Sequence, residues 1–151
     1  MRTLIFTAAI LGASLARVAF AGCTMENVAG TYGYVGFGTI VTNPFGLPTG
    51  SYSSVGTLEF DGKGNLLITD TARIDNTLLT PDRTYPGTYT VDKQCVGTFT
   101  ITGIALSGIP GPHYKVVFVD SRKGIRAISL LPGFVVNYVN TTRIESGDQG
   151  E

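Results

Sequence analysis

Asp70 is the side chain in this sequence whose type and position best suit it to chemistry. It falls in a run of alternating apolar residues, Leu66, Ile68, Asp70, Ala72 and Ile74. A carboxylate desolvated among such neighbours has a raised pKa and can act as a general acid or orient a ligand hydroxyl. The alternatives are a carboxylate bonded to backbone amides or to a Thr or Tyr hydroxyl, and a bulge that turns it outward.

Aromatic residues at alternate positions are the second candidate group. Tyr89 is the hydroxyl predicted to polarise a substrate group together with Asp70. Gly33, Gly36 and Gly38 in one segment predict either room for an interior cavity or a bend in the strand. We expect the cavity to be lined by Tyr32, Tyr34, Tyr89, Phe99, Phe118 and Tyr138, although such residues also build ordinary cores.

The sequence gives little support for other kinds of catalysis or for metal binding. His113 is the single histidine, and one histidine among scattered carboxylates does not make an ordinary zinc site. No Gly-x-Ser-x-Gly nucleophile motif occurs. The segment 61–65 alternates acid and glycine, but it lacks the oxygen ligands of a calcium loop and predicts a hairpin turn. We therefore expect no metal and no cofactor.

Two features predict covalent modification. Cys23 and Cys95 are the two cysteines, and in an exported protein they favour a disulfide. Asn140-Thr141-Thr142 is an N-glycosylation acceptor if the host is eukaryotic.

Residues 1–21 have the pattern of a cleavable signal peptide. Arg2 precedes an apolar run at 4–13, and Ala19-Phe20-Ala21 supplies the small-x-small pattern before Gly22. The run is shorter than the ~20 residues that span a bilayer. A bacterial lipoprotein site at Cys23 is the alternative, and it would leave Cys95 without a partner. The leader predicts a secreted protein, or one in the periplasm or a secretory compartment.

The chain after the leader is long enough for one domain. Without Arg2 and Arg17 the formal net charge changes from 0 to −2, which argues against nucleic acid and anionic membranes as partners. We expect a small apolar molecule as the partner, no membrane span, and a monomer or homodimer.

Alternation of period two, rather than a helical period, runs through the whole of this domain. It predicts an all-β domain at 22–144, followed by a disordered tail at 145–151. We expect the residues that determine specificity to lie on the longer connections, at 42–52, 75–83 and 106–112. An eight-stranded antiparallel up-and-down barrel is expected, with a two-sheet sandwich as the alternative. The predicted strands are 30–40, 53–60, 66–74, 84–91, 95–103, 114–120, 125–131 and 134–144.

Two resemblances add to these expectations. Gly30-Thr31-Tyr32 in the first strand, with Arg143 near the end of the last, resembles the calycin arrangement, which implies that Arg143 covers the ring of Tyr32. The strings GTLEFDGKGN at 56–65 and YPGTYTVDKQCVGT at 85–98 are similar to small exported proteins of the allene-oxide-cyclase-like barrel group. That likeness implies a barrel and a pocket for an apolar molecule.

The expected function is therefore binding of a small, mostly apolar molecule inside an exported barrel. The first alternative is a cofactor-free cyclase or isomerase acting on a polyketide- or terpene-like intermediate held in a reactive conformation. The second is a surface or interaction protein with a packed barrel and functional loops.

Overall fold

The computed structural model describes residues 22–42, 46, 48–79, 82–104 and 111–144. The predicted leader at 1–21 and tail at 145–151 lie outside the described residues. Within the described part no helix is both long enough and apolar enough to cross a membrane.

The described residues form nine strands, eight of which overlap the eight predicted ones. The additional strand, β4, has two residues and falls inside a predicted connection. The predicted strand at 95–103 is shorter than expected, because the chain turns into a 3-10 helix at Thr102–Ile104. The strands are β1 Gly30–Ile40, β2 Gly50–Phe60, β3 Asn65–Ile74, β4 Thr77–Leu78, β5 Arg83–Val91, β6 Val96–Ile101, β7 His113–Val119, β8 Gly124–Ser129 and β9 Phe134–Ile144.

The sheet closes on itself. Omitting β4, each strand pairs antiparallel with the next, and β9 pairs back onto β1. This confirms the closed eight-stranded antiparallel barrel, and the two-sheet sandwich is wrong. Closure leaves no exposed edge among these eight strands.

Short turns at one end of the barrel are held by aspartates. The Asp61 carboxylate accepts the backbone N–H groups of Lys63 and Asn65. Asp92 does the same for Gln94 and Val96 in the β5–β6 turn. The Asp61 carboxylate accepts hydrogen bonds from within the turn, and the segment forms the predicted hairpin.

The N-terminal segment closes that same end. The predicted disulfide between Cys23 and Cys95 is confirmed, and it fastens residues 22–29 to the β5–β6 turn. The Tyr32 hydroxyl lies within hydrogen-bond distance of the carbonyls of Val28 and Arg122. Arg143 stands opposite Tyr32 in the β1–β9 register, and its guanidinium donates to the Ala29 carbonyl. We call this the closed end.

The glycines of β1 allow close packing rather than a cavity. A Cβ at Gly36 would lie 2.5 Å from the Ser54 hydroxyl and 3.2 Å from the Tyr138 ring. A Cβ at Gly38 would lie 1.8 Å from the Val135 carbonyl oxygen. The β1–β9 register shifts between Gly33 and Val35. Neighbouring groups therefore fill the space beside Gly36 and Gly38, so the predicted room for a cavity is not found there, and the predicted bend of the strand stays a prediction.

Candidate functional site

The predicted pocket aromatics belong to two separate layers. Tyr32, Tyr89 and Phe118 pack edge-on around Phe60 at the closed end, with ring centroids 4.7–5.6 Å from that ring. All three are buried. Together with Phe60 they form a continuous aromatic plug in the core of the closed end. Phe118 also borders a surface cleft beside the disulfide, but none of the three lines the interior cavity beside Asp70.

The other three predicted pocket residues lie nearer the middle. Tyr34 meets Tyr138 edge-on at 4.7 Å, and Phe99 stacks on Tyr114 at 4.6 Å. The Tyr138 hydroxyl donates to that of Tyr114 across 3.3 Å. Only Tyr138 of the six predicted residues lines the interior cavity beside Asp70.

Tyr89 does not meet Asp70. Its hydroxyl accepts the N–H of Gly62 and donates to the carbonyl of Met25 at the closed end. On β5 it stands six residues from Arg83, which pairs with Asp70, and six residues of strand span ~20 Å. The structure therefore does not bring together the two residues predicted to act as a catalytic pair.

Asp70 is buried on the inner face of β3, the face indicated by the alternation. One carboxylate oxygen accepts a hydrogen bond from Arg83 at 2.8 Å, forming an ion pair with little solvent exposure. The other oxygen accepts from the Tyr52 hydroxyl at 3.4 Å. Asp70 thus has a cationic partner, which the sequence-based alternatives of amide, Thr or Tyr did not include.

Arg83 and Tyr52 were missed, although a signal for Arg83 existed. Arg83 has the same parity in β5 as the inward-facing Gly87 and Tyr89, so alternation places it on the inner face. Tyr52 lay outside the predicted second strand, which began one residue later. The observed strand starts at Gly50 and carries Tyr52 into the barrel.

Register places the polar groups at one level of the barrel. Tyr34 pairs with Gly56, Gly56 with Asp70, and Asp70 with Arg83, across four consecutive strands. Gly56 has no side chain, so nothing on β2 separates Tyr34 from Asp70 at this level. We define the polar centre as Tyr34, Tyr52, Ser54, Asp70 and Arg83.

Three buried atoms of the polar centre make no hydrogen bond of ordinary geometry in the described part of the protein: the Tyr34 hydroxyl, the Ser54 hydroxyl and Nε of Arg83. The Ser54 hydroxyl still lies close enough to the hydroxyls of Tyr34 and Tyr52 to interact with them. A buried polar group without a partner costs about 1–3 kcal/mol. The polar centre therefore has unused hydrogen-bonding capacity, which a water molecule or a ligand group can satisfy.

A cavity of about 30 Å³ adjoins the polar centre. Its walls combine Asp70, Arg83 and Tyr52 with apolar side chains such as Ile68 and Phe134. That volume suits one water molecule or one polar group, whereas whole-ligand pockets measure about 300–1,000 Å³. The expected cavity for an entire ligand is not found among the described residues.

The cavity lies toward the end of the barrel opposite the disulfide, which we call the open end. Strand β3 ends there and β5 begins there, and the β6–β7 and β8–β9 connections lie at the same end. The connections predicted to carry specificity, 42–52, 75–83 and 106–112, join strands at this end. Parts of all three lie outside the described residues.

Burial keeps the hydroxyls of this region protonated. Desolvation, followed by the Asp70 carboxylate, raises the pKa of Tyr52 to about 12. Desolvation also raises the pKa of Tyr34, Tyr114 and Tyr138. At physiological pH these side chains are neutral hydrogen-bond donors, suited to holding a ligand oxygen and unsuited to acting as bases.

We expect the tyrosines to ionise late and cooperatively. Since the fold favours the protonated phenols, their stabilising contribution is complete below pH ~10 and is lost as the pH rises through the folded-state values. The tyrosinate absorbance of six of the seven tyrosines should therefore rise in one step, together with loss of circular dichroism, above about pH 11. Absorbance equal to two or more tyrosinates near pH ~10 with the fold intact would contradict this, and urea-unfolded chain is the control. The pKa is raised for Tyr32, Tyr34, Tyr52, Tyr89, Tyr114 and Tyr138.

The remaining candidate residues lie outside the polar centre. His113 begins β7 and pairs with Thr100, and its Nδ1 is buried without a partner in the described residues. No group of three or more His, Cys, Asp and Glu side chains in the described part could hold a metal ion. The side chain of Asn140 is not among those described, so its glycosylation stays a prediction.

A wider cleft of about 490 Å³ lies at the closed end, among strand ends and the β7–β8 turn. Arg122, Lys123 and Arg143 line it together with Asn27 and Thr31. It is separated from Asp70 by the aromatic plug, so it does not contribute to the polar centre.

No protein-family model matches this chain, and neither a curated protein nor a solved structure matches it. Function is therefore inferred from the geometry of the polar centre and from the surface of the barrel.

Proposed function

We propose that this protein is an exported barrel that binds a small, mostly apolar molecule by one polar group inserted at the open end. The observation that carries this is the buried Asp70–Arg83 pair beside a cavity of about 30 Å³. The body of the ligand would lie at the mouth of the barrel, because the interior formed by the described residues accommodates only its polar group.

The energetics of the pair favour a binding role over a purely structural one. Replacing a buried ion pair by apolar residues is often neutral or stabilising, so stability alone gives weak reason to keep it. Nε of Arg83, which has no hydrogen-bond partner among the described residues, can donate to an incoming oxygen. The hydroxyls of Tyr34 and Ser54 supply further donors or acceptors.

Charge balance indicates which polar group fits. Asp70 and Arg83 neutralise one another at 2.8 Å, so the polar centre carries no net charge. A neutral acceptor, such as a ketone, an aldehyde or an alcohol, gains hydrogen bonds there without bringing an unpaired charge into the interior. A carboxylate would compete with Asp70 for Arg83 and is disfavoured.

Export is the second part of the proposal. The disulfide and the lack of a membrane-spanning helix in the described residues are compatible with a secreted protein or an oxidising compartment. The signal-peptide pattern at 1–21 supports secretion. The likeness to calycins and to the allene-oxide-cyclase-like group supports an apolar ligand.

Cofactor-free cyclisation or isomerisation is a second candidate for the same site. The Tyr52 hydroxyl, 3.4 Å from Asp70, supplies the donor that Tyr89 was predicted to supply. A reactive chain anchored there would gain mainly from placement. The packed interior also favours the interaction-protein alternative, for which the outer surface is the relevant part.

Binding can be tested with probes that share one apolar skeleton and differ in their polar group. We expect farnesol and farnesal to bind in titration calorimetry, and farnesene and farnesoic acid to bind at least ~10-fold more weakly. The Arg83→Met variant should no longer bind farnesol and farnesal more tightly than farnesene. Arg73→Met, which removes an exposed arginine from the outer face of β3, is the matched control and should bind normally.

Two results would overturn the binding proposal. One is that no probe binds the wild-type protein at up to ~1 mM. The other is that Arg83→Met binds every probe as the wild type does. For turnover, chromatography coupled to mass spectrometry should resolve an isomeric product of equal mass in the same mixtures with wild type, and less of it with Asp70→Asn. Equal turnover would remove Asp70 from the mechanism.

A further inference from the structure

Five exposed apolar side chains lie together on the outer face of β1 and its neighbours. Val35 and Phe37 on β1 are 43% and 48% exposed, and Val55 on β2 is 59% exposed. Ile128 on β8 and Val135 on β9 are 53% and 52% exposed. Register makes the patch continuous, because Val35 lies opposite Val55 and Thr39 lies opposite Val135. We call these five residues the apolar face.

The other side of the barrel is built differently. On β3, β5 and β6 the outward positions carry many threonines, whose hydroxyls pair across strands. Thr69 and Thr84 lie 3.1 Å apart, as do Thr90 and Thr98. These hydroxyls suit contact with water. The concentration of bare apolar side chains on β1, β2, β8 and β9 therefore distinguishes one side of the barrel.

A groove adjoins the apolar face. It has a volume of about 270 Å³ and is lined by Val117, Ile128 and Asn137, with Lys115 and Arg126 at its border. It lies where the β8–β9 register shifts between Ile125 and Ala127. The Oδ1 atom of Asn137 is buried there without a hydrogen-bond partner in the described residues.

Phe37 stands beside this groove. It pairs with Asn137 on β9, and Asn137 pairs with Ile128 on β8, so two strand spacings, ~10 Å, separate Phe37 from Ile128. A projecting ring and a receiving groove thus lie side by side on one surface. A two-fold axis between them would place each ring in the groove of the other copy.

We propose that the apolar face is a self-association surface, on which Phe37 of each copy enters the groove at Val117, Ile128 and Asn137 of the other. The guanidinium of Arg126 at the groove border is placed to meet the face of the incoming ring. The outward residues of β1, Thr31 to Thr39, carry no charge, so two identical copies bring no like charges together along that strand.

The size of the face predicts a weak dimer. Four strands at ~4.8 Å spacing and ~20 Å of strand length give roughly 400 Å² per copy. A stable interface buries about 800 Å² per partner. The association is therefore reversible, with half-dimerisation expected between about 10 µM and about 1 mM. This inference is independent of ligand binding at the open end.

Sedimentation equilibrium of the oxidised, exported chain tests the proposal. The average mass of the wild type should rise from monomer toward dimer over that concentration range. Phe37→Thr should shift the midpoint at least ~10-fold upward. Leu67→Thr removes an apolar side chain that is 40% exposed on the outer face of β3, and it should leave the midpoint unchanged. Thermal unfolding should confirm that both variants are folded.

A mixing experiment tests the reciprocal geometry. Phe37→Thr and Ile128→Thr should each weaken self-association, but a mixed dimer keeps one intact ring–groove contact. The equimolar mixture should therefore associate more strongly than either variant alone. A wild type that stays monomeric at ~1 mM would overturn the proposal. So would a trimer, an unaffected Phe37→Thr, an equally affected Leu67→Thr, or a mixture no stronger than its components.

Discussion

Removing the Cys23–Cys95 disulfide should lower the free energy of unfolding by about 4 kcal/mol. The two cysteines are separated by 72 residues, so the bond closes a long loop in the unfolded chain and reduces its conformational entropy. In the folded protein it holds residues 22–29 over the closed end, where Val28 and Met25 accept hydrogen bonds from Tyr32 and Tyr89.

Chemical denaturation of Cys23→Ala/Cys95→Ala would measure this loss. For a domain of this size we expect the melting temperature to fall by roughly 10–20 °C. Reduced wild-type protein is the control, since it keeps both side chains and should lose a similar amount. A loss below ~1 kcal/mol would mean that contacts of the N-terminal segment hold the closed end without the bond.

Asp70→Ala should destabilise the fold by about 3 kcal/mol, the lower part of the range for breaking a buried ion pair. The substitution leaves the Arg83 guanidinium in the barrel without its carboxylate and takes the acceptor from the Tyr52 hydroxyl. Arg83 lies at the start of β5, so its charge can be partly hydrated through the open end. Because of this hydration, we expect a loss of stability below the upper end of the range for a broken buried ion pair.

A double-mutant cycle measures the interaction energy of the Asp70–Arg83 pair separately from the contributions of the individual side chains. Asp70→Ala/Arg83→Met should be clearly more stable than the sum of the single losses predicts, because neither charge is then left alone. Glu59→Ala, which removes an exposed carboxylate on neighbouring β2, is the matched control and should change stability by less than ~0.5 kcal/mol. Additive losses would show that the two residues are energetically independent.

The two proposals concern different surfaces of the barrel, so each can be tested without affecting the other. Ligand binding depends on the inner polar centre at the open end, whereas self-association depends on the outer apolar face. Arg83→Met should leave the dimer intact, and Phe37→Thr should leave probe binding intact.

Local sequence pattern determined much of the fold. Period-two alternation located eight strands and placed Asp70 on the inner face, and the glycine-rich run after Asp61 predicted its turn. These features depend on residues within a few positions of one another, so one sequence contains them. The two cysteines similarly limited the covalent framework to one intramolecular pairing.

Only the tertiary structure decided which inward-facing residues meet. Alternation gives the face of a side chain but not its level along the barrel, which depends on register between strands distant in sequence. Register places Asp70 beside Arg83 and leaves Tyr89 at the closed end. Close packing then decides whether a glycine leaves a void, and Tyr138 and Ser54 fill the space beside Gly36. The sequence by itself thus determined an all-β chain with a buried carboxylate, and non-local pairing determined the partner of that carboxylate.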